Sequence, residues 1–198
     1  MIAIIDYRAG NLASVANALN RLDTPYTITD RREVLDSSDA VIFPGVGHAG
    51  AAMQRLREQK LDEWLRRTSK PVLGICLGMQ LLYESTTEGP SDTLGILPGK
   101  LERFDPAQDK VPHMGWNTIR ILKSHPLLDG IADDTYFYHV HSYFAPVSEQ
   151  TLAESSYISP FATVAARDNF MGVQFHPEKS GSAGEKLLSN FVSLALRL

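Results

Sequence analysis

Residues 71–84 constrain the fold of this chain more than any other stretch. Pro71-Val72-Leu73-Gly74-Ile75 is a short apolar run, the pattern of a buried strand. Met79-Gln80-Leu81-Leu82-Tyr83-Glu84 follows and reads as a helix. Cys76, the single cysteine among 198 residues, stands at the joint. A strand that turns directly into a helix is a nucleophile elbow, which holds a reactive side chain above the sheet edge. Gly74 and Gly78 flank the joint, where a Cβ would crowd the turn. Peptide N–H groups at the helix start favour negative charge. They are expected to lower the thiol pKa from its free value of about 8.5 and make a thiolate available. A lone cysteine is more commonly a buried structural residue. The glycine pair and the strand–helix junction favour the nucleophile.

Composition narrows the class. A chain of this length can bury one sizeable core. Hydrophobic residues at 43% and charged residues at 21% are ordinary for a soluble globular protein. The formal net charge of −4 and the absence of any basic run argue against nucleic-acid binding. One cysteine cannot form an internal disulfide, which fits a reducing cytoplasm. Met1-Ile2-Ala3-Ile4-Ile5-Asp6 has no basic region and does not read as a signal peptide. No apolar stretch approaches the ~20 residues of a membrane span.

Ile2–Ile5 reads as a first buried strand, followed by the turn Asp6-Tyr7-Arg8-Ala9-Gly10. Leu12, Val15, Ala16, Leu19 and Leu22 then fall at helical spacing. Tyr26–Thr29 and Ala40–Phe43 are the next strands, the latter stopped by Pro44-Gly45-Val46-Gly47. Met53, Leu56, Leu61, Trp64 and Leu65 mark one long helix before the elbow strand. This alternation is that of a parallel sheet wrapped by helices. From Leu94 onward short apolar runs at 100–104, 118–121 and 135–138 alternate with Gly, Pro and Asp. Phe161–Ala166 and Phe170–Phe175, joined by Arg167-Asp168-Asn169, predict an antiparallel hairpin. Ser182 and Glu185 form an S-x-x-E capping-box pattern before an apolar C-terminal helix. No linker divides the halves. The expectation is one α/β domain over 1–198, with a mixed, mainly parallel central sheet, flanking helices and additional antiparallel strands in the second half.

A cysteine nucleophile needs a base, and the base needs an orienting group. His176, in Gln174-Phe175-His176-Pro177-Glu178, stands at a predicted strand end. A spacing of two puts His176 and Glu178 on one side of an extended backbone. Pro177 discourages helix at the preceding residue. Alone, His-Pro-Glu is equally a turn with a solvated ion pair; with the cysteine elbow it suggests a Cys-His-Glu triad. An oxyanion hole needs two backbone donors. The N–H groups of Val46 or Gly47 and of Leu77 are the candidates, although the 44–47 stretch taken alone is an ordinary strand-to-helix turn.

Three of these stretches, Gly-Ile-Cys-Leu-Gly-Met-Gln at 74–80, Pro-Gly-Val-Gly at 44–47 and Phe-His-Pro-Glu at 175–178, resemble the triad-type (class I) glutamine amidotransferases. Others are similar to glutaminase subunits of imidazole glycerol phosphate synthase. These are Asp6-Tyr7 with Gly10-Asn11-Leu12 and Ser14-Val15, Lys110–Asn117, His141-Ser142-Tyr143 and Glu178–Gly181. The resemblance runs from Met1 to about Phe191; Arg8 departs from it, standing where a glycine is expected.

The resemblance implies a flavodoxin-like amidotransferase fold and a glutaminase. Cys76 would attack the side-chain amide of glutamine, His176 would shuttle protons and Glu178 would hold His176. Gln80 and Glu84, one turn apart on the elbow helix, match glutamine-binding positions, as do Gly47, Ser142 and Tyr143. Ammonia would pass to a separate (β/α)₈ cyclase subunit that makes imidazole glycerol phosphate and AICAR in histidine biosynthesis. No metal or organic cofactor is implied, and His48, His125 and His139 show no ligand spacing. The cyclase interface is expected at or near Asn11, Met114, Trp116 and Lys179, with Met114 and Trp116 in a loop bounded by Pro112 and Asn117; Trp116 is equally readable as core. The alternatives are the glutaminase of an anthranilate or aminodeoxychorismate synthase, a cysteine peptidase on a related fold, and a catalytically silent binding module.

Overall fold

The computed structural model describes residues 1–8, 10–89 and 91–196. In its first half the chain runs β1 (Ile2–Ile5), α1 (Leu12–Arg21), β2 (Tyr26–Thr29), α2 (Arg32–Ser37), β3 (Ala40–Gly45), α3 (Ala49–Glu58), α4 (Leu61–Arg67), β4 (Val72–Cys76) and α5 (Leu77–Leu82). The apolar runs are strands for a simple reason. β1, β3 and β4 are buried along their whole length, so both sets of alternating side chains must be apolar. Ile2 and Ile4 enter one core, beneath α1 and the C-terminal helix. Ala3 and Ile5 enter another, beneath α3 and α4.

The second half adds β5 (Ser85–Thr86), β6 (Ser91–Asp92), β7 (Lys100–Arg103), β8 (His113–Thr118), β9 (Arg120–Ile121), β10 (Tyr136–His141), β11 (Tyr143–Phe144), β12 (Thr151–Ser156), β13 (Pro160–Arg167), β14 (Phe170–Val173) and α6 (Gly181–Ala195). The main sheet has eight strands in the order β2-β1-β3-β4-β14-β13-β12-β9. β2, β1, β3, β4 and β14 are mutually parallel; β13, β12 and β9 continue the sheet antiparallel. β8 and β10 form a separate antiparallel ribbon, and β11-β7-β5-β6 a small second sheet. Strands from both halves thus share one sheet. β14 beside β4 is the pairing on which the site depends, with Val173 in register with Ile75.

Several local expectations change. The long helix of residues 53–65 is two helices, because Lys60 adopts a left-handed φ of 56° and breaks the helix between α3 and α4. β3 runs through Pro44 to Gly45 rather than stopping at Phe43. α2 shows no apolar periodicity because its six residues hold too few apolar positions; only Leu35 is buried. Met114 and Trp116, expected in a loop bounded by Pro112 and Asn117, instead lie in β8, which pairs with β10. The 118–121 run is split between β8 and β9, and β14 ends at Val173, two residues before Phe175. The predicted capping box is absent: Ser180 is the N-cap of α6 and makes no side-chain cap bond. Glu185 instead accepts a hydrogen bond from Arg21 on α1. The hairpin of β13 and β14 forms as expected. Of the turn at 6–10, Ala9 lies outside the described residues.

Candidate active site

The three motifs meet because β3, β4 and β14 are neighbours and parallel, so their carboxyl ends lie side by side. Gly45 is in register with Cys76. Cys76 has φ 53° and ψ −110°, a backbone conformation that a non-glycine residue adopts only when its surroundings hold it there. The neighbours leave no room to relax. A Cβ on Gly78 would stand 1.8 Å from the Phe43 carbonyl oxygen, and one on Gly74 would stand 2.7 Å from the Met79 nitrogen. The elbow is therefore pressed against β3, and its strain is sustained by packing.

His176 follows β14, and Pro177–Lys179 is a single 3₁₀ turn rather than extended chain. The tight turn, not strand alternation, carries Glu178 back to the ring: Glu178 Oε1 lies 2.7 Å from His176 Nδ1, with both side chains almost wholly buried. The solvated ion pair is thereby replaced by a desolvated one. Burial opposes the imidazolium, but the hydrogen bond to Glu178 and the charges of Cys76 and Glu178 outweigh it and raise the His176 pKa from 6.5 to about 10. Glu178 holds Nδ1, and no protein group bonds Nε2 among the described residues. That nitrogen belongs to the ring lining the same cavity as Cys76.

The cavity holds about 280 Å³. Val46, Gly47 and Leu77 line it beside Cys76, as do Gln80, Ser142 and Tyr143. Gly47 has φ 98°, a left-handed conformation that suits glycine. The Cys76 thiol lies 3.8 Å from the Val140 carbonyl and 3.8 Å from Gln174 Nε2. Gln80 is buried and donates from Nε2 to the Tyr143 carbonyl (2.9 Å) and to Gln174 Oε1 (3.1 Å). Its carbonyl oxygen is thus the part of the amide left for a ligand. Glu84 does not join them. α5 ends at Leu82, so Glu84 is not one turn on from Gln80; it is exposed and accepts from the Gly99 N–H. The carboxylate that lines the cavity is Glu88, which also accepts from the Ala49 N–H at 2.6 Å. Glu88 and Gln174 carried no sequence signal beyond their polarity, although Gln174 in an otherwise apolar run, Gly172-Val173-Gln174-Phe175, marks a buried amide.

The histidines also gather. His113, His139 and His141 bring ring nitrogens within 4.8 Å of one another across the β8–β10 ribbon, a cluster made by the pairing of two strands in which His139, expected to show no ligand spacing, takes part. All three are buried, and desolvation lowers each pKa, His113 to about 4 and His141 to about 3.

The opposite face of that ribbon is open. Met114 and Trp116 are 63% and 56% exposed, and Tyr136 is 59% exposed. Trp116 is therefore not core. It stands edge-on to Tyr138 at 6.1 Å, and Lys179 Nζ lies 6.0 Å from the centre of the same Tyr138 ring. Asn11 is the N-cap of α1 and accepts from the Ser14 N–H. Arg8, the departure from the expected glycine, does take a left-handed φ of 61°. No helix among the described residues is long and apolar enough to cross a membrane.

Comparison with known proteins agrees with this geometry. The family model of class-I glutamine amidotransferases matches residues 3–194. The imidazole glycerol phosphate synthase subunit HisH of Bacteroides fragilis is 51% identical over 98% of this chain and 99% of that protein. The HisH subunit of Pasteurella multocida is 47% identical over 96% of both. Among solved structures, a glutamine amidotransferase superposes with a TM-score of 0.75 at 20% identity, covering 98% of this chain and 99% of the other. PurLQS of Thermotoga maritima superposes at 0.72 and 17% identity, covering 98% and 97%. At such identities the superpositions speak for the fold, and the full-length relatives at about half identity speak for the branch. The chain belongs to the class-I glutamine amidotransferases, in the family of the HisH subunits of imidazole glycerol phosphate synthase.

Proposed function

We propose that residues 1–198 act as one domain that hydrolyses glutamine at Cys76 and hands the ammonia to a (β/α)₈ cyclase subunit, which forms imidazole glycerol phosphate and AICAR. The observation that carries this reading is the buried 2.7 Å pair of His176 and Glu178 beside the strained Cys76 elbow, at the ends of adjacent strands. The Cys76 sulfur adds to the amide carbon of glutamine, and the carbonyl π electrons move to oxygen. The N–H groups of Leu77 and of Val46 or Gly47 receive that oxyanion. The His176 imidazolium gives its Nε2 proton to the departing nitrogen, so ammonia leaves and a γ-glutamyl thioester remains. Water then adds to the thioester carbonyl as His176 takes its proton, the C–S bond breaks, and glutamate is released. Glu178 keeps the Nδ1 proton in place throughout, and so aims Nε2 at the sulfur.

Glutamine brings an α-ammonium and an α-carboxylate that need partners. The Glu88 carboxylate and the Gln80 carbonyl oxygen are acceptors suited to the ammonium, with Gly47, Ser142 and Tyr143 bounding the pocket. Glu84 is not assigned to the substrate. The exposed Met114, Trp116 and Tyr136, with Lys179 and Asn11, form the face offered to the cyclase, where Lys179 meets an acidic partner residue. The complex is placed in the cytoplasm. Cys76→Ala tests the reading: glutamine-dependent synthesis by the complex is expected to vanish while synthesis from added ammonia persists. Near wild-type glutamine turnover in that variant would end it.

A further inference from the structure

The three buried histidines of the β8–β10 ribbon are not used by the hydrolysis derived above, yet one of them, His141, lines its cavity. Their protonation is set from the backbone inward. Asn117 Oδ1 accepts from the Thr118 N–H at 2.8 Å, and Asn117 Nδ2 donates to the Ser156 carbonyl at 2.9 Å. The amide is therefore held one way round, and its second N–H faces His113 Nε2 at 3.4 Å. His113 is neutral, because burial disfavours its charged form, so a bare Nε2 places the ring proton on Nδ1. His113 Nδ1 lies 3.1 Å from His141 Nε2, which must then accept. His141 is left with its proton on Nδ1, which lies 2.9 Å from the Tyr143 carbonyl oxygen. Every donor meets an acceptor, and the chain of bonds begins and ends on backbone.

That end point matters. The Tyr143 carbonyl also accepts from Gln80 Nε2, and Gln80 in turn bonds Gln174, which reaches the Cys76 sulfur. We propose that Asn117 and His113 fix the Nδ1–H tautomer of His141, and that this relay positions the Tyr143 carbonyl and, through it, the substrate-facing amide of Gln80. His113 and Asn117 are thus positioning residues for glutamine binding, reached from the ribbon whose other face carries Met114 and Trp116. In the alternative tautomer a bare His141 Nδ1 would face the bare carbonyl oxygen, two acceptors in contact, and the carbonyl would lose one of its two bonds. A shared metal ion is the rival reading of the trio. It fits less well, because the Asn117 amide N–H faces His113 Nε2 and the ring proton then lies on Nδ1, toward His141, so His113 offers an ion no free lone pair. His139, with neither ring nitrogen bonded among the described residues, is a wall: it stacks on His113 at 4.9 Å and packs edge-on to Phe161 and Phe175.

The proposal rests on the glutaminase reading, and its test separates the two. In the wild-type chain, long-range proton–nitrogen correlation spectra should show His113 and His141 neutral and both protonated at Nδ1. An Nε2–H form of either ring, or a doubly protonated one, would overturn the relay. In the cyclase complex, His113→Phe should lower kcat/KM for glutamine about tenfold, the size of one net hydrogen bond, mainly through KM. Ammonia-dependent synthesis should not change. His113→Asn, whose amide N–H stands where Nδ1–H stood, should recover most of the loss, and His139→Phe should match wild type. Wild-type kinetics in a folded His113→Phe chain would sink the relay and leave the glutaminase standing; a wild-type chain inert toward glutamine would sink the glutaminase itself. Equimolar Zn²⁺ retained by Cys76→Ala and lost in His139→Phe would replace the relay with a metal site.

Discussion

The strands β3 and β4 and the ribbon of β8 and β10 are built on opposite rules. β3 and β4 are buried on both faces and apolar throughout, and β4 ends in a strained cysteine packed against β3. The ribbon alternates buried and exposed residues along β10, but the sorting is unusual: His113, His139 and His141 lie inside with Phe137, while Met114, Trp116 and Tyr136 face out. A strand that buries polar rings and exposes large apolar ones is not optimised for the stability of its own chain. The doubly buried strands hold Cys76; the ribbon buries its three histidines on one side and leaves Met114, Trp116 and Tyr136 exposed on the other.

Substitutions in the two regions should therefore fail in different ways. The largest effect is expected at the strand ends. Glu178→Gln should preserve the fold and glutamine binding yet slow thioester formation by up to ~10⁴, as loss of a triad orienter does. Rapid-quench measurement of the thioester reads this directly, and an unchanged rate would reduce Glu178 to a structural carboxylate. Gly78→Ala should cost stability rather than chemistry alone. Its Cβ would stand 1.8 Å from the Phe43 carbonyl, so β3 and α5 must separate, at a cost of about 3 kcal/mol. Urea denaturation measures it, and a wild-type midpoint would show that the elbow is less tightly clamped than its geometry implies.

On the ribbon the pattern should invert. Trp116→Ala is expected to change unfolding free energy by no more than about 0.5 kcal/mol, as exposed positions do. It should weaken cyclase association by about 2 kcal/mol, the scale of a central interface aromatic. Calorimetric titration of the two subunits decides the matter. Loss of stability without loss of affinity would return Trp116 to an intramolecular role. The smallest effect is expected at Arg8. Its φ of 61° is costly for a residue with a Cβ, and Arg8→Gly should stabilise the chain by up to about 1 kcal/mol, part of the gain being offset by the greater freedom of glycine when unfolded. A lower melting temperature in that variant would mean that the arginine side chain contributes more than the turn costs.

What was legible in the sequence was what local chemistry dictates. The apolar run before Cys76, the two glycines beside it and the His-Pro-Glu stretch specify an elbow and a histidine–carboxylate pair whatever the rest of the chain does, because each depends on neighbours a few residues away. The same stretches carried the family resemblance. Where a reading needed a boundary, it slipped. Glu84 stands four residues after Gln80 in a run that reads as one helix, but the helix stops at Leu82 and the cavity carboxylate is Glu88. The capping-box pattern at Ser182 and Glu185 was present in residue types and absent in geometry, since α6 begins earlier and Glu185 pairs with Arg21.

The remainder was decided by pairing between distant segments. Nothing local says that β14 lies next to β4, yet that register alone brings His176, a hundred residues away, beside Cys76. Nor does any spacing announce that His113 faces His141 across a ribbon, that Gln174 reaches the sulfur, or that Trp116 points outward. Sequence periodicity reports which side of an element is apolar. It is silent on which element covers that side, because the covering is settled by the summed burial of all the strands and helices at once. The Cys76 elbow was therefore determined by residues 71–84 themselves, and the side chains around it by the order of the sheet.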